Sequence, residues 1–187
     1  MKELALYFLD IAQNSVTAGA RHLSLTLTEE PDHLLTAVIR DDGCGMSPEF
    51  LAAVADPFTT TRTTRKVGMG LPLYRLAAEQ TGGSMRIEST QGVGTSVTAV
   101  FHTDHLDCAP LGDMASTVAL LIQSSPDMDL TYRHETPEGS FELRTEELRR
   151  ILGPELSLAQ PEITLWIRDY ISEQEAHLKE LNSIEEH

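Results

Sequence analysis

Two strand-like stretches follow one another directly near the start of this chain, and that succession limits its architecture more than any other feature. "HLSLTLTEE", residues 22–30, alternates Leu23, Leu25 and Leu27 with polar residues, the pattern of a half-buried strand. "EPDH" is a turn, and "LLTAVIRDD" is a second, more apolar strand. The arrangement recurs further on, where "SMRIEST" and "TSVTAVFHT" are strands joined by "QGVG". Strands separated by such short links pair antiparallel, because a parallel pair needs a long crossover.

Helical patterns alternate with these strand pairs. "KELALYFLDIAQNSVTAGA" places Leu4, Phe8, Ile11 and Ser15 on one stripe, with Tyr7 and Ala12 beside it, and stops at Gly19. "SPEFLAAVAD" opens with Ser47 as an N-cap and Pro48 at the first helical position, with Glu49 in the first turn. "LPLYRLAAEQTGG" is a helix ended by Gly82 and Gly83. Up to Thr103 the order is helix, two strands, helix, loop, helix, two strands. That order predicts an α+β, two-layer α/β sandwich with a mixed sheet.

The pattern changes after Thr103. "DHLDCAPLGD" reads as a polar connector and "MASTVALLIQ" as a helix. "MDLTYRHETPEGSFELRT" reads as a hairpin, with Pro137 and Gly139 in a type I turn. "TEELRRIL" is a short helix. "PEITLWIRDYISEQEAHLKEL" is a longer one, with Ile163, Trp166, Ile167, Tyr170 and Ile171 on one stripe. The division expected is 1–103 for the principal domain and 104–187 for a smaller α+β extension. His134, on the first strand of the later hairpin, reads as structural or solvent-facing.

Charge narrows the function classes. With 14 Lys and Arg against 29 Asp and Glu, the formal charge is −15, which argues against broad binding to nucleic acid or to an anionic membrane. No apolar run approaches the roughly 18 residues of a membrane span. The two cysteines, Cys44 and Cys108, make no disulfide framework, and a reducing cytoplasm is the expected compartment.

Against this acidic background, "DPFTTTRTTRKVGMGLPL" concentrates Arg62, Arg65 and Lys66 among threonines that include Thr59 and Thr60. Gly68 and Gly70 let the backbone approach a ligand, and the helix opening near Leu71 aims free N–H groups at the same point. Such a set forms a polyphosphate cradle; a solvated loop is the alternative. "RDDGCGM", residues 40–46, puts Asp41 at a strand end beside a tight turn. A carboxylate there can accept from an exocyclic amine while Gly43 and Gly45 let a flat ring lie against the backbone; a plain Asp/Gly turn is the alternative. Cys44 reads as a small packing residue of that turn. Asp10 and Asn14, four apart, share one helix face and can hold a metal ion and orient a water, or simply face solvent. "HTDHLDC" spaces His102, His105 and Cys108 by three; a zinc or iron site is conceivable there, and a solvated connector is the plainer reading.

Taken in order, "DIAQNSVTAGA", "DDGCGM", "DPFTTTR", "GMGLPL" and "GVGTSV" resemble the five sequence boxes of the GHKL, or Bergerat-fold, ATPase superfamily, most closely its histidine-kinase branch. The resemblance covers residues 1–103. It implies a sheet with helices on one face and a site for ATP and Mg²⁺. Asn14 would bind the Mg²⁺ that bridges the phosphates. Asp41 would accept from the adenine amino group above the turn of Gly43 and Gly45, with Met46 packed on the ring. Thr95 would bond near the adenine, and Arg62 would contact phosphate. The loop with Thr59, Thr60 and Lys66 would be a lid hinged at Gly68 and Gly70.

Three departures qualify the resemblance. Asp10 stands where hydrolysing branches carry Glu, which withdraws the carboxylate by about 1.5 Å; misplacement on that scale can cost ~100-fold in rate. Pro72 replaces a glycine in the helix after the lid. Nine residues precede Asp10 and none is His, so no phosphoacceptor dimerisation domain is expected. The expectation is therefore an ATP·Mg²⁺-binding, histidine-kinase-like protein that phosphorylates a separate, unidentified protein or hydrolyses ATP slowly with Asp10 as its acid group. The alternative is a nucleotide-gated binding module with little turnover.

Overall fold

The computed structural model describes residues 3–55 and 70–184. The elements run α1 (Leu4–Thr17), β1 (His22–Glu30), β2 (Leu34–Asp41), α2 (Pro48–Ala55), α3 (Gly70–Gln80), β3 (Ser84–Thr90), β4 (Gly94–His102), α4 (Met114–Ser124), β5 (Asp129–Thr136), β6 (Gly139–Arg144), α5 (Thr145–Leu152) and α6 (Pro161–Ile184). The strands form one six-stranded sheet in the order β3-β4-β2-β1-β5-β6. All neighbours pair antiparallel except β1 and β5, which run parallel. The architecture is the α+β, mixed-sheet sandwich anticipated from the strand pairs.

Alternation decides which face is covered. Leu23, Leu25 and Leu27 of β1, Leu35, Ala37 and Ile39 of β2, and Val97, Ala99 and Phe101 of β4 are all buried beneath the helices. Ser24, Thr26, Thr36, Val38, Ser96 and Thr98, which point the other way, are half-buried. Among the helices, α1 touches α3 on one side and α4 on the other, and α4 touches α6. Tyr74 of α3 sits among Tyr7, Phe8 and Phe101 with ring centroids 5.5 to 5.8 Å away. Its side chain is fully buried, and its hydroxyl has no hydrogen-bond partner among the described residues.

The segment after Thr103 joins the same sheet and helical layer. β5 pairs with β1 along His22–Thr28, and α4 packs on α1. The connector also completes α1. Glu3 provides no side-chain cap; the N–H groups of Leu4 and Ala5 instead donate to the Pro110 and Leu111 carbonyls, both at 2.9 Å. Thr145 is buried and ties α5 to β5: its hydroxyl donates to Met128 O at 3.1 Å and accepts the Leu130 N–H at 2.8 Å.

His134 is buried, at 2% exposure, and lies between two carboxylates. Nδ1 is 2.9 Å from Glu175 of α6, Nε2 is 2.9 Å from Glu29 of β1, and the Tyr132 hydroxyl donates to Glu175 at 2.6 Å. Burial on its own lowers the imidazole pKa, but the bonds to Glu175 and Glu29 outweigh it and carry the value up to about 9. A protonated His134 thus joins β1, β5 and α6.

Candidate functional site

The site forms where α1, the turn after β2, and the adjoining ends of β4 and β3 meet. Helical spacing sends Ile11, Asn14, Ser15 and Ala18 toward one cavity of about 520 Å³. Its apolar walls include Ile39 and Val97 from the sheet, Met46 and Phe50 from the turn and α2, and Leu71 from α3. Its polar groups include Asn14, Asp41 and Thr95. The long apolar walls with a few grouped polar side chains suit a flat heterocycle with one polar edge.

Strand register aligns the polar edge. Asp41 of β2 is the partner of Thr95 of β4, and Thr95 is the partner of Ser89 of β3. The three side chains therefore stand in one row on the helix-covered face of the sheet. The Ser15 hydroxyl donates to Asp41 Oδ2 at 2.5 Å, and the Gly43 N–H donates to Asp41 Oδ1 at 2.9 Å. Ser89 Oγ accepts the Met46 N–H at 2.8 Å and lies 2.8 Å from Thr95 Oγ1.

The turn after β2 is held from both sides. The Cys44 N–H donates to Ala18 O at 2.9 Å, and Cys44 O accepts from the Gly92 N–H at 2.7 Å. Gly45 has φ +64°, and a Cβ there would fall 2.1 Å from the Thr90 carbonyl oxygen, so no side chain fits. Cys44 is exposed and lines the cavity, in contrast to a packing role.

Of the residues singled out in the sequence, Asn14, Asp41, Gly45, Met46, Leu71 and Thr95 all line this one cavity. Gly43 adjoins it through its bond to Asp41. Asp10 lies one helical turn before Asn14, against the first residue of α3: a methyl group at Gly70 would sit 3.3 Å from Asp10 Cβ. Thr59, Thr60, Arg62, Lys66 and Gly68 lie outside the described residues. Ser15, Ser89 and Phe50 complete the site and were not singled out for it. Ser15 carried a signal, a hydroxyl on an otherwise apolar stripe; Ser89 carried none, because its partners are set by register with β4.

The donor set also fits a magnesium ion. Asn14 is exposed on the cavity side of α1, and its amide oxygen is the hard, neutral ligand Mg²⁺ accepts. Mg²⁺ keeps several waters and takes few protein ligands beside phosphate, so Asn14, with the Asp10 carboxylate one turn away, would be the residues to hold it. The connector histidines form no comparable group. His105 Nδ1 accepts the Asp107 N–H at 3.1 Å, and among the described residues no three His, Cys, Asp or Glu side chains converge as metal ligands.

A second concavity, of about 570 Å³, lies against the polar face of the sheet near Ser24, Arg40 and Thr131. Part of its titratable rim is paired internally. His22 is 2.7 Å from Asp42 and 3.2 Å from Asp129. Hydrogen bonds from the His22 backbone and side chain, with one from the Arg21 N–H, hold the Asp42 carboxyl down at about 2. Asp42 thereby clamps the start of β1 to the end of β2.

The family model described as "Histidine kinase-, DNA gyrase B-, and HSP90-like ATPase" matches residues 2–105. The chain is 35% identical over 94 residues to histidine protein kinase DivJ of Caulobacter vibrioides, covering 48% of this chain and 16% of that one. It is 30% identical over 103 residues to sporulation kinase E of Bacillus subtilis, covering 54% and 13%. The matched region thus spans less than a fifth of these relatives. A solved structure, described as the N-terminal domain of a DNA repair protein, superposes with a TM-score of 0.50 at 14% identity, covering 77% of this chain and 52% of that one, a likeness of fold alone. No described helix is long and apolar enough to cross a membrane. Residues 2–105 contain the cavity, Asn14, Asp41 and Thr95 together, and the chain belongs to the histidine kinase-, DNA gyrase B- and HSP90-like ATPase family.

Proposed function

We propose that the chain binds Mg·ATP in this cavity and uses it to phosphorylate a separate protein or to hydrolyse ATP slowly. The observation that carries the reading is the convergence of Asn14, Asp41 and Thr95, from α1, β2 and β4, on one largely apolar cavity. The adenine would lie between Met46 and the sheet with its amine at Asp41. The phosphates would extend toward Asn14 and the N-terminus of α3, since the start of a helix favours anions. Asn14 would hold the Mg²⁺, which supplies charge neutralisation of the phosphates when bound. Arg62, Lys66, Thr59, Thr60 and Gly68 would act as the lid, with Gly70 and Leu71 at its hinge.

Asp10 is the acid group closest in sequence to the phosphate end. Its short side chain weakens activation of water, whereas transfer to a partner's side chain requires no activated water. The same feature favours a second reading, a nucleotide-gated module in which lid closure changes the surface offered to a partner. Incubation with γ-labelled ATP, alone and with proteins from the same cell, separates these outcomes. Label on another protein supports phosphotransfer, steady release of phosphate supports hydrolysis, and tight binding with neither supports gating. Absence of any ATP-dependent thermal shift would refute all three, since ligand at 100 times its dissociation constant adds about 2.7 kcal/mol.

A further inference from the structure

The face of the sheet turned away from the helices is only half-buried along its central strands. Register sets its side chains in rows that cross all six strands. One row runs Glu88, Ser96, Arg40, Ser24, Thr131 and Arg144, from β3 to β6. The next runs Arg86, Thr98, Val38, Thr26, Arg133 and Glu142. On a chain of formal charge −15, these two rows carry four arginines and two glutamates.

The two edges of this face are opposite in charge, row by row. Glu88 on β3 matches Arg144 on β6, and Arg86 on β3 matches Glu142 on β6. We propose that the chain pairs with a second copy through this face, sheet on sheet, about a twofold axis that runs along the strands. That rotation lays β3 of one copy over β6 of the other. Glu88 then meets the partner's Arg144, and Arg86 meets the partner's Glu142, at both edges at once. Serine, threonine and valine fill the centre, where small side chains let two sheets approach to about 10 Å. Rotation preserves the hand of the twist, so the two twisted sheets nest across their width.

Arg40 fits the same packing. It is exposed and has no ion pair among the described residues. The rotation sets it over the partner's Ser24, in the concavity of about 570 Å³ whose rim includes Asp42, Asp129 and Glu146. An unpaired arginine and an acid-rimmed concavity thus face each other twice. Six strands span about 29 Å and three rows about 20 Å, roughly 600 Å² in plan, against about 800 Å² per partner in a standard interface. The dimer is therefore of micromolar strength. The cavity that holds Asn14 and Asp41 lies on the helix-covered face and stays open.

Sedimentation equilibrium of the full chain tests the pairing. The wild type should form a reversible dimer with a dissociation constant on the order of ten micromolar. Arg144→Glu and Glu88→Arg should each weaken it roughly ten-fold, because the twofold repeats every new repulsion. The double variant should recover most of that loss. Within one chain the two positions lie on opposite edges, about 24 Å apart, so recovery requires a second copy. Arg40→Glu, away from both edges, should weaken the dimer by a similar factor. Wild-type chain that stays monomeric at millimolar concentration overturns the proposal. So does a dimer that the single variants leave intact, or one that the double variant fails to restore.

Discussion

Ser15 and Asp41, 26 positions apart in the chain, are joined by a 2.5 Å hydrogen bond that fixes the first helix to the end of β2. Ser15 is 3% exposed, so its hydroxyl cannot exchange this partner for water. Ser15→Ala leaves Asp41 Oδ2 without that donor and should cost about 1–2 kcal/mol of stability. ATP affinity should fall with it, because the carboxylate is no longer held in place. Urea denaturation and titration of the same variant measure both; full stability together with normal ATP affinity would show the bond to be idle.

Asn14 faces the cavity without belonging to the core, so its removal separates binding from folding. Asn14→Ala should leave the melting temperature without nucleotide within a degree or two and eliminate the Mg²⁺-dependent part of ATP binding. Titration with and without EDTA checks this. Normal Mg·ATP binding by the variant would remove Asn14 from the metal role.

His134 makes stability depend on pH in a defined direction. Its pKa is about 9 in the folded chain against an ordinary value of 6.5, so the folded state binds the proton more tightly. The stabilisation is fully present below pH 6.5 and is lost as pH rises through about 9. Its size is on the order of 3 kcal/mol. Denaturation curves collected from pH 6 to pH 10 should show the decline, and His134→Gln should flatten it. An equal decline in that variant would assign the effect to other groups.

Tyr74 offers a substitution expected to help. Its hydroxyl is buried with no described partner, and desolvation raises its pKa well above the ordinary tyrosine value. Tyr74→Phe keeps the ring among Tyr7, Phe8 and Phe101 and removes the unsatisfied oxygen, so stability should hold or rise by up to about 1 kcal/mol. Tyr74→Ala should cost about 3–5 kcal/mol through the cavity it leaves. Paired thermal melts distinguish the contributions of ring and hydroxyl. A loss of more than about 1 kcal/mol in Tyr74→Phe would reveal a hydrogen bond to that oxygen.

Much of the site was legible in the chain because its parts are local. The Leu23, Leu25, Leu27 alternation marks a strand, and Asp41 with Gly43 and Gly45 marks the turn that ends the next one. Asn14 follows Asp10 on one face of an amphipathic helix. The residues that were missed act through partners far away in sequence. Ser15 looked like part of a packing stripe until Asp41 was beside it, and Ser89 meets Met46 and Thr95 only through the pairing of β3 with β4.

The same division applies to the whole chain. Periodicity and turn chemistry, which act over ten residues or so, determined the helices, the two early hairpins and the acceptor-bearing turn. Tertiary structure alone decided that β5 would lie parallel to β1 and that His134 would be enclosed by Glu29 and Glu175 rather than face water. Parallel pairing carries no local signature: its hydrogen bonds link segments about a hundred residues apart, and either sheet edge satisfies the strand pattern equally well. Burial of a charged group likewise depends on which carboxylates the assembled layers deliver, a choice made only when β1, β5 and α6 meet.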